Sequence, residues 1–134
     1  MPTNVPNNSP DKGLDLFIAA GPSLESCTAT IGDVFGMGIA QIVRAEDFDD
    51  LLLAIKRATT GWAVYHQSGH RDYPHQFDVN VIDGPPLIEL VTEIVHRLGV
   101  SVVIPDDETD DPYAGLRFDP DGSVRSFSLL PFNP

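Results

Sequence analysis

Cysteine is nearly absent from this sequence: Cys27 stands alone in 134 residues, which excludes an intramolecular disulfide and a cysteine-rich zinc site. With no base beside it in sequence to activate a thiolate, Cys27 reads as a small buried apolar residue. Positive charge is scarce too. Eight Lys and Arg face twenty Asp and Glu, giving a formal net charge of -12 and an isoelectric point near 4.3. Such a field repels phosphate backbones and anionic membranes and attracts basic proteins. Direct binding of nucleic acid is therefore not expected. No apolar run reaches the ~20 residues that cross a bilayer. The opening Met-Pro-Thr-Asn-Val-Pro-Asn-Asn-Ser-Pro has neither the basic start nor the apolar middle of a secretory signal. These absences predict a soluble cytoplasmic protein that makes no membrane contact.

Catalytic spacings are missing as well. The serines at 23, 26, 68, 101, 123, 126 and 128 include none in a Gly-x-Ser-x-Gly elbow. The glycines of Gly32-Asp33-Val34-Phe35-Gly36-Met37-Gly38 lack the order and the strand-to-helix setting of a phosphate loop. Glu89 and Glu93, four residues apart, read as the solvated edge of a helix. His66, His70 and His75 fall in one stretch with Asp72, but Gly69 and Pro74 interrupt it and no ligand motif is completed. The expectation is a protein that is not an enzyme and needs neither cofactor nor metal. Two alternatives stay open: a small enzyme or metal-binding protein built on the His66/His70/His75 stretch, and an acidic subunit of a larger assembly.

The hydrophobic pattern supports one folded domain. The chain is 42% hydrophobic and 21% charged, ordinary for a globular protein, and its length suffices to bury roughly two thirds of the surface of the unfolded chain. Residues 1–13, with three prolines and three asparagines, read as a flexible N-terminal arm, which leaves 14–134 as the domain. Leu14 to Ala20 has the length and the Gly-Pro boundary of a strand. Between Ser23 and Val43 the glycines obscure any period, and a short helical turn followed by a strand at Ile39 to Val43 is expected. Phe48, Leu51, Leu52, Ile55 and Ala58 recur at helical spacing, with acids before them and Lys56 and Arg57 after, which predicts a helix over 46–59. The period then drops to two at Trp62, Val64, His66 and again at Phe77, Val79, Val81, which predicts two strands. Leu87, Leu90, Val91, Ile94, Val95 and Leu98 form the stripe of another helix, with Gly99 placed to cap it. Val100 to Ile104 is a strand, and Asp119-Pro120-Asp121-Gly122 turns a hairpin. Val124 falls out of phase with Phe127 and Leu129, for which a bulge after Gly122 is expected. The fold class that follows is α+β, a mainly antiparallel sheet of about six short strands packed against two amphipathic helices.

The densest chemical feature is Asp106-Asp107-Glu108-Thr109-Asp110-Asp111. It lacks the glycine and the closing Glu of a calcium loop. Such a run reads either as a solvated connection or as a contact surface for a basic partner. The segment from Leu98-Gly99-Val100-Ser101-Val102-Val103-Ile104-Pro105-Asp106-Asp107 through Asp111-Pro112-Tyr113 to Pro120-Asp121-Gly122 resembles the C-terminal part of small immunity proteins of bacterial polymorphic-toxin systems. It covers about residues 98–122 only. The resemblance implies a non-catalytic inhibitor that binds and neutralises a cognate toxin. It makes Asp106, Asp107, Asp110, Asp111 and Tyr113 the expected partner-binding residues, the aspartates steering a basic partner and Tyr113 anchoring it.

Overall fold

The structure is a computed structural model and describes residues 13–58, 61–81 and 86–129. Seven strands form one sheet: β1 (Gly13–Ile18), β2 (Ile42–Arg44), β3 (Gly61–Gln67), β4 (His75–Val81), β5 (Val102–Pro105), β6 (Ala114–Phe118) and β7 (Val124–Ser128). Their order across the sheet is β2-β3-β4-β1-β5-β6-β7. Every neighbouring pair is antiparallel except β2 and β3, which run parallel. The α+β class and the mainly antiparallel sheet are thus as expected, with one strand more. Of the expected arm, residues 1–12 lie outside the described residues, and Gly13 already belongs to β1.

Alternation sorts the sheet into two faces. Leu14, Leu16, Ile18, Ala63, Tyr65, Phe77, Val79, Val81, Val102, Ile104 and Phe118 point to one side and form the main core. Two helices cover it: α1 (Leu24–Phe35) through Cys27, Ile31 and Phe35, and α3 (Leu87–Leu98) through Leu90, Val91, Ile94 and Val95. Leu90, Val91, Ile94, Val95 and Leu98 of the α3 stripe pack as their spacing predicts, and Gly99 ends the helix in the left-handed region at φ 70°. No helix among the described residues is long and apolar enough to cross a membrane.

Two expectations for the helices need correction. Ser23–Val43 holds a twelve-residue helix, not a short turn. Its N-terminus is capped by Ser23, whose Oγ accepts the Ser26 N–H at 3.1 Å, and the amides of Gly36 and Met37 close the other end on the Gly32 carbonyl. Gly32, which reads as a breaker in the sequence, is there for space: a Cβ would stand 2.9 Å from the Met37 carbonyl oxygen. Only a single 3-10 turn (Ile39–Gln41) and the three residues of β2 follow where a longer strand was expected.

The second correction concerns α2 (Phe48–Arg57), the helix expected over 46–59, whose Thr59 lies outside the described residues. Leu52 and Ile55 of its expected stripe do not join the core. It sits at the sheet edge against β2, the 3-10 turn and β3, burying Ala54 while Leu52 and Ile55 stay exposed. The place over the core is taken by α1, which packs beside α3.

The β6–β7 hairpin turns at Gly122 with φ 91°, but the expected phase-restoring bulge is absent from the ladder. Pairing runs unbroken from Phe118–Val124 to Ala114–Ser128, so Val124 and Phe127 fall on opposite faces. On the face away from the helices Phe17, Tyr73, Val103 and Leu129 make a second buried cluster, with Phe127 against it. Gly115 lets this cluster close, since a Cβ there would meet Val103 Cγ1 at 2.7 Å.

Candidate functional site

The helix-free face of β1, β3 and β4 carries polar groups at its centre. Asp15 alternates with the buried Leu14 and Leu16, and Asp78 with Phe77 and Val79, so both carboxylates are turned away from the core. The β1–β4 register sets Asp15 directly opposite Asp78. Asp78 also receives His66 Nε2 at 2.9 Å on one oxygen and Gln76 Nε2 at 3.2 Å on the other. Partial burial, together with the hydrogen bond and the charge of Asp78 and the further charge of Asp107, pushes Asp15 up to about 7. Burial would raise Asp78 as well, but hydrogen bonds from Asp15, His66 and Gln76 outweigh it and hold Asp78 below the usual carboxylate range. The pair therefore holds one proton, carried mainly by Asp15, in solution more acid than about pH 7 and loses it as pH rises through that value.

The five expected partner-binding residues lie on the loop between β5 and β6, at the same end of the sheet as the start of β1. The loop is built by its own polar groups. The Asp106 amide donates to the Ala114 carbonyl, Asp106 Oδ1 accepts the Glu108 N–H, Thr109 Oγ1 the Asp111 N–H and Asp111 Oδ1 the Tyr113 N–H. Local capping thus occupies one oxygen of Asp106 and one of Asp111, and leaves both side chains at the surface or close to it. Asp107, Asp110 and Tyr113 are exposed, so Tyr113 is not a core residue. Asp107 is the member of the loop whose charge reaches the Asp15–Asp78 pair.

No ion pair among the described residues involves an acid of 106–111. Asp119, at the other end of β6, is treated differently. It takes Ser101 Oγ at 2.6 Å, Arg117 Nε at 3.0 Å and Arg125 Nε at 3.4 Å, and the Ser101 bond leads the contacts that hold it below its ordinary value. Two arginines thus serve the hairpin, and no cation among the described residues pairs with the acidic loop.

The three histidines do not converge. His66 is on the helix-free face with Asp78, His75 meets the Tyr65 hydroxyl through Nδ1 at 2.9 Å, and His70 is buried edge-on to Tyr73 with Nδ1 accepting the Asp72 N–H. No group of His, Cys, Asp or Glu among the described residues has the geometry to hold a metal ion. Cys27 is fully buried, and burial pushes its thiol up to about 11, in keeping with a packing role.

Sequence reading missed the Asp15–Asp78 pair. Its signal was there in two charged residues at alternating positions of apolar strands, Leu14-Asp15-Leu16 and Phe77-Asp78-Val79. Only the strand register makes them neighbours, since 63 positions of sequence separate 15 from 78. Comparison of the chain with protein-family models, with characterised proteins and with solved structures finds no match.

Proposed function

We propose that this protein binds a cognate toxin domain carrying a basic surface and neutralises it by occlusion, without catalysing a reaction. One observation carries the reading: among the described residues no cation pairs with the carboxylates of 106–111, and Asp107 adds its charge to the partly buried Asp15–Asp78 pair. A guanidinium or ammonium of the partner would supply the missing charge, and Tyr113 offers a partly exposed aromatic ring at the rim. The resemblance of residues 98–122 to immunity proteins agrees with this surface and supplies the class of partner. The cytoplasm is the compartment in which such a protein would act.

The test is growth of cells that make the toxin encoded beside this protein, with and without the protein, together with the stoichiometry of the purified complex. Protection through a one-to-one complex is the expected result; protection with substoichiometric protein would mean turnover and would sink the proposal. Asp110→Lys with Asp111→Lys is expected to slow association, more at low salt than at high, since exposed charges steer at long range and are screened.

The Asp15–Asp78–His66 arrangement favours a second reading, general acid–base chemistry with Asp15 as the acid and His66 orienting Asp78. Turnover of a small substrate that is abolished by His66→Ala, with the fold intact, would establish it in place of the first.

A further inference from the structure

The apolar surface of this chain is unevenly placed. Of the seven large hydrophobic residues exposed among the described ones, four belong to the 3-10 turn and α2: Ile39 at 82%, Leu52 at 51%, Leu53 at 46% and Ile55 at 39%. Ile39 stands between two hollows. The larger, about 630 Å³, lies between α1 and the sheet and reaches Ile42 and Tyr65; the smaller, about 450 Å³, lies between β2 and α2 and reaches Leu53. Both hollows share Ile39, Ile42, Val43 and Arg44, so together they form one groove over the edge strand β2.

The backbone of that edge is set out for an extended chain. The Ala45 amide donates to the Tyr65 carbonyl, and the β2–β3 register is that of a parallel pair, so Val43 turns its polar groups towards β3 while Ile42 and Arg44 turn theirs outward. The Ile42 N–H is taken by the Ile39 carbonyl and the Arg44 carbonyl by the Asp47 N–H. This leaves the Ile42 carbonyl and the Arg44 N–H aimed away from the sheet, and no strand lies beyond β2 among the described residues. The acids of the rim select the partner's charge. Glu25, Asp47 and Asp50 line the groove and no ion pair among the described residues holds them; of its cations Arg44 is engaged with Glu46 at 3.9 Å, which leaves Arg57 at the end of α2 against three carboxylates. A second copy of the chain, itself at -12, would bring the same acids to the same rim.

We infer that the β2 edge receives an extended segment of the partner protein in which basic residues alternate with apolar ones, the apolar side chains entering the groove around Ile39 and Leu53. This rests on the reading above that the chain binds a basic protein, and it assigns that protein a second contact. β2 and the acidic loop after β5 are four strand spacings apart, about 19 Å, which one partner with an interface of ordinary size spans.

The test uses the full chain and a ten-residue peptide alternating lysine with valine, with a lysine–serine peptide as control. Binding of the lysine–valine peptide should shift the amide resonances of residues 39–44. Ile39→Ser with Leu53→Ser, both exposed and so compatible with folding, should weaken it about tenfold. Asp110→Lys with Asp111→Lys should leave the shifts at 39–44 in place. Peptide shifts confined to the loop 106–113, equal binding of the two peptides, or concentration-dependent dimerisation that the serine variant abolishes would each overturn the inference. Full protection against the toxin by the serine variant would overturn it too, while leaving the neutralising reading intact. Failure to protect against any toxin, with the peptide still mapped to 39–44, would defeat that reading and keep the groove.

Discussion

Replacing Asp15 by Asn should change how the stability of this protein depends on pH. In the unfolded chain Asp15 titrates near 3.8, and in the folded chain near 7, so between these values the native state holds a proton that the unfolded state has lost. Stability from this source is complete below pH 3.8 and declines as pH rises through about 7, opposite in sign to the common behaviour of a salt-bridged carboxylate. Asp78, held below the usual range, contributes in the other direction and only in more acid solution. The span from 3.8 to about 7 corresponds to about 4 kcal/mol. Partial exposure of the pair to solvent screens it, which leaves about 2 kcal/mol. Asparagine keeps the donor towards Asp78 and removes the charge. Urea unfolding at constant ionic strength should therefore find Asp15→Asn equal to the wild type near pH 4 and more stable by about 2 kcal/mol at pH 8. The carboxylates outside the Asp15–Asp78 pair titrate alike in both proteins and cancel in the difference. A difference that does not vary between pH 4 and pH 8 would refute the shared proton, and with it the claim that the negative potential of Asp78 and Asp107 converges on Asp15.

The same proton gives a prediction for binding. A cationic partner that docks at the pair favours ionised Asp15, so affinity should rise with pH through about 7 in the wild type and lose that dependence in Asp15→Asn, as calorimetry in buffers of different ionisation enthalpy would detect. Leu90→Ala should cost ~2 to 5 kcal/mol in chemical denaturation because the side chain is buried in the main core; Leu52→Ala should cost less than about 0.5 kcal/mol, and a larger loss would mean that α2 is packed more deeply than described. Gly32→Ala should destabilise despite the better helix propensity of alanine, since its Cβ meets backbone at 2.9 Å; a gain in melting temperature would contradict that contact. Excess chelator should leave the melting temperature unchanged, because the three histidines have separate partners.

The amino-acid sequence determined those parts of the fold where one period holds over a whole element. The stripe of Leu90, Val91, Ile94 and Val95 specifies a helix and also its buried face, and the alternation at Phe77, Val79 and Val81 specifies a strand with an apolar side. The charge of -12 and the isolation of Cys27 also needed no structure. Periodicity could not say which apolar stripes would find room. Leu52 and Ile55 recur at helical spacing as well as the α3 residues do, but α1 and α3 already occupy the core face of the sheet, so α2 is left at the edge with Leu52 and Ile55 exposed. The helix α1 was hidden because Gly32 serves close packing against the Met37 carbonyl, a steric need that local propensity does not encode. The site divides in the same way. The acidic loop is contiguous, so composition alone exposed Asp106, Asp107, Asp110 and Asp111, whereas the Asp15–Asp78–His66 group and the groove over β2 exist only through strand register and element packing, which bring together residues that the chain keeps far apart.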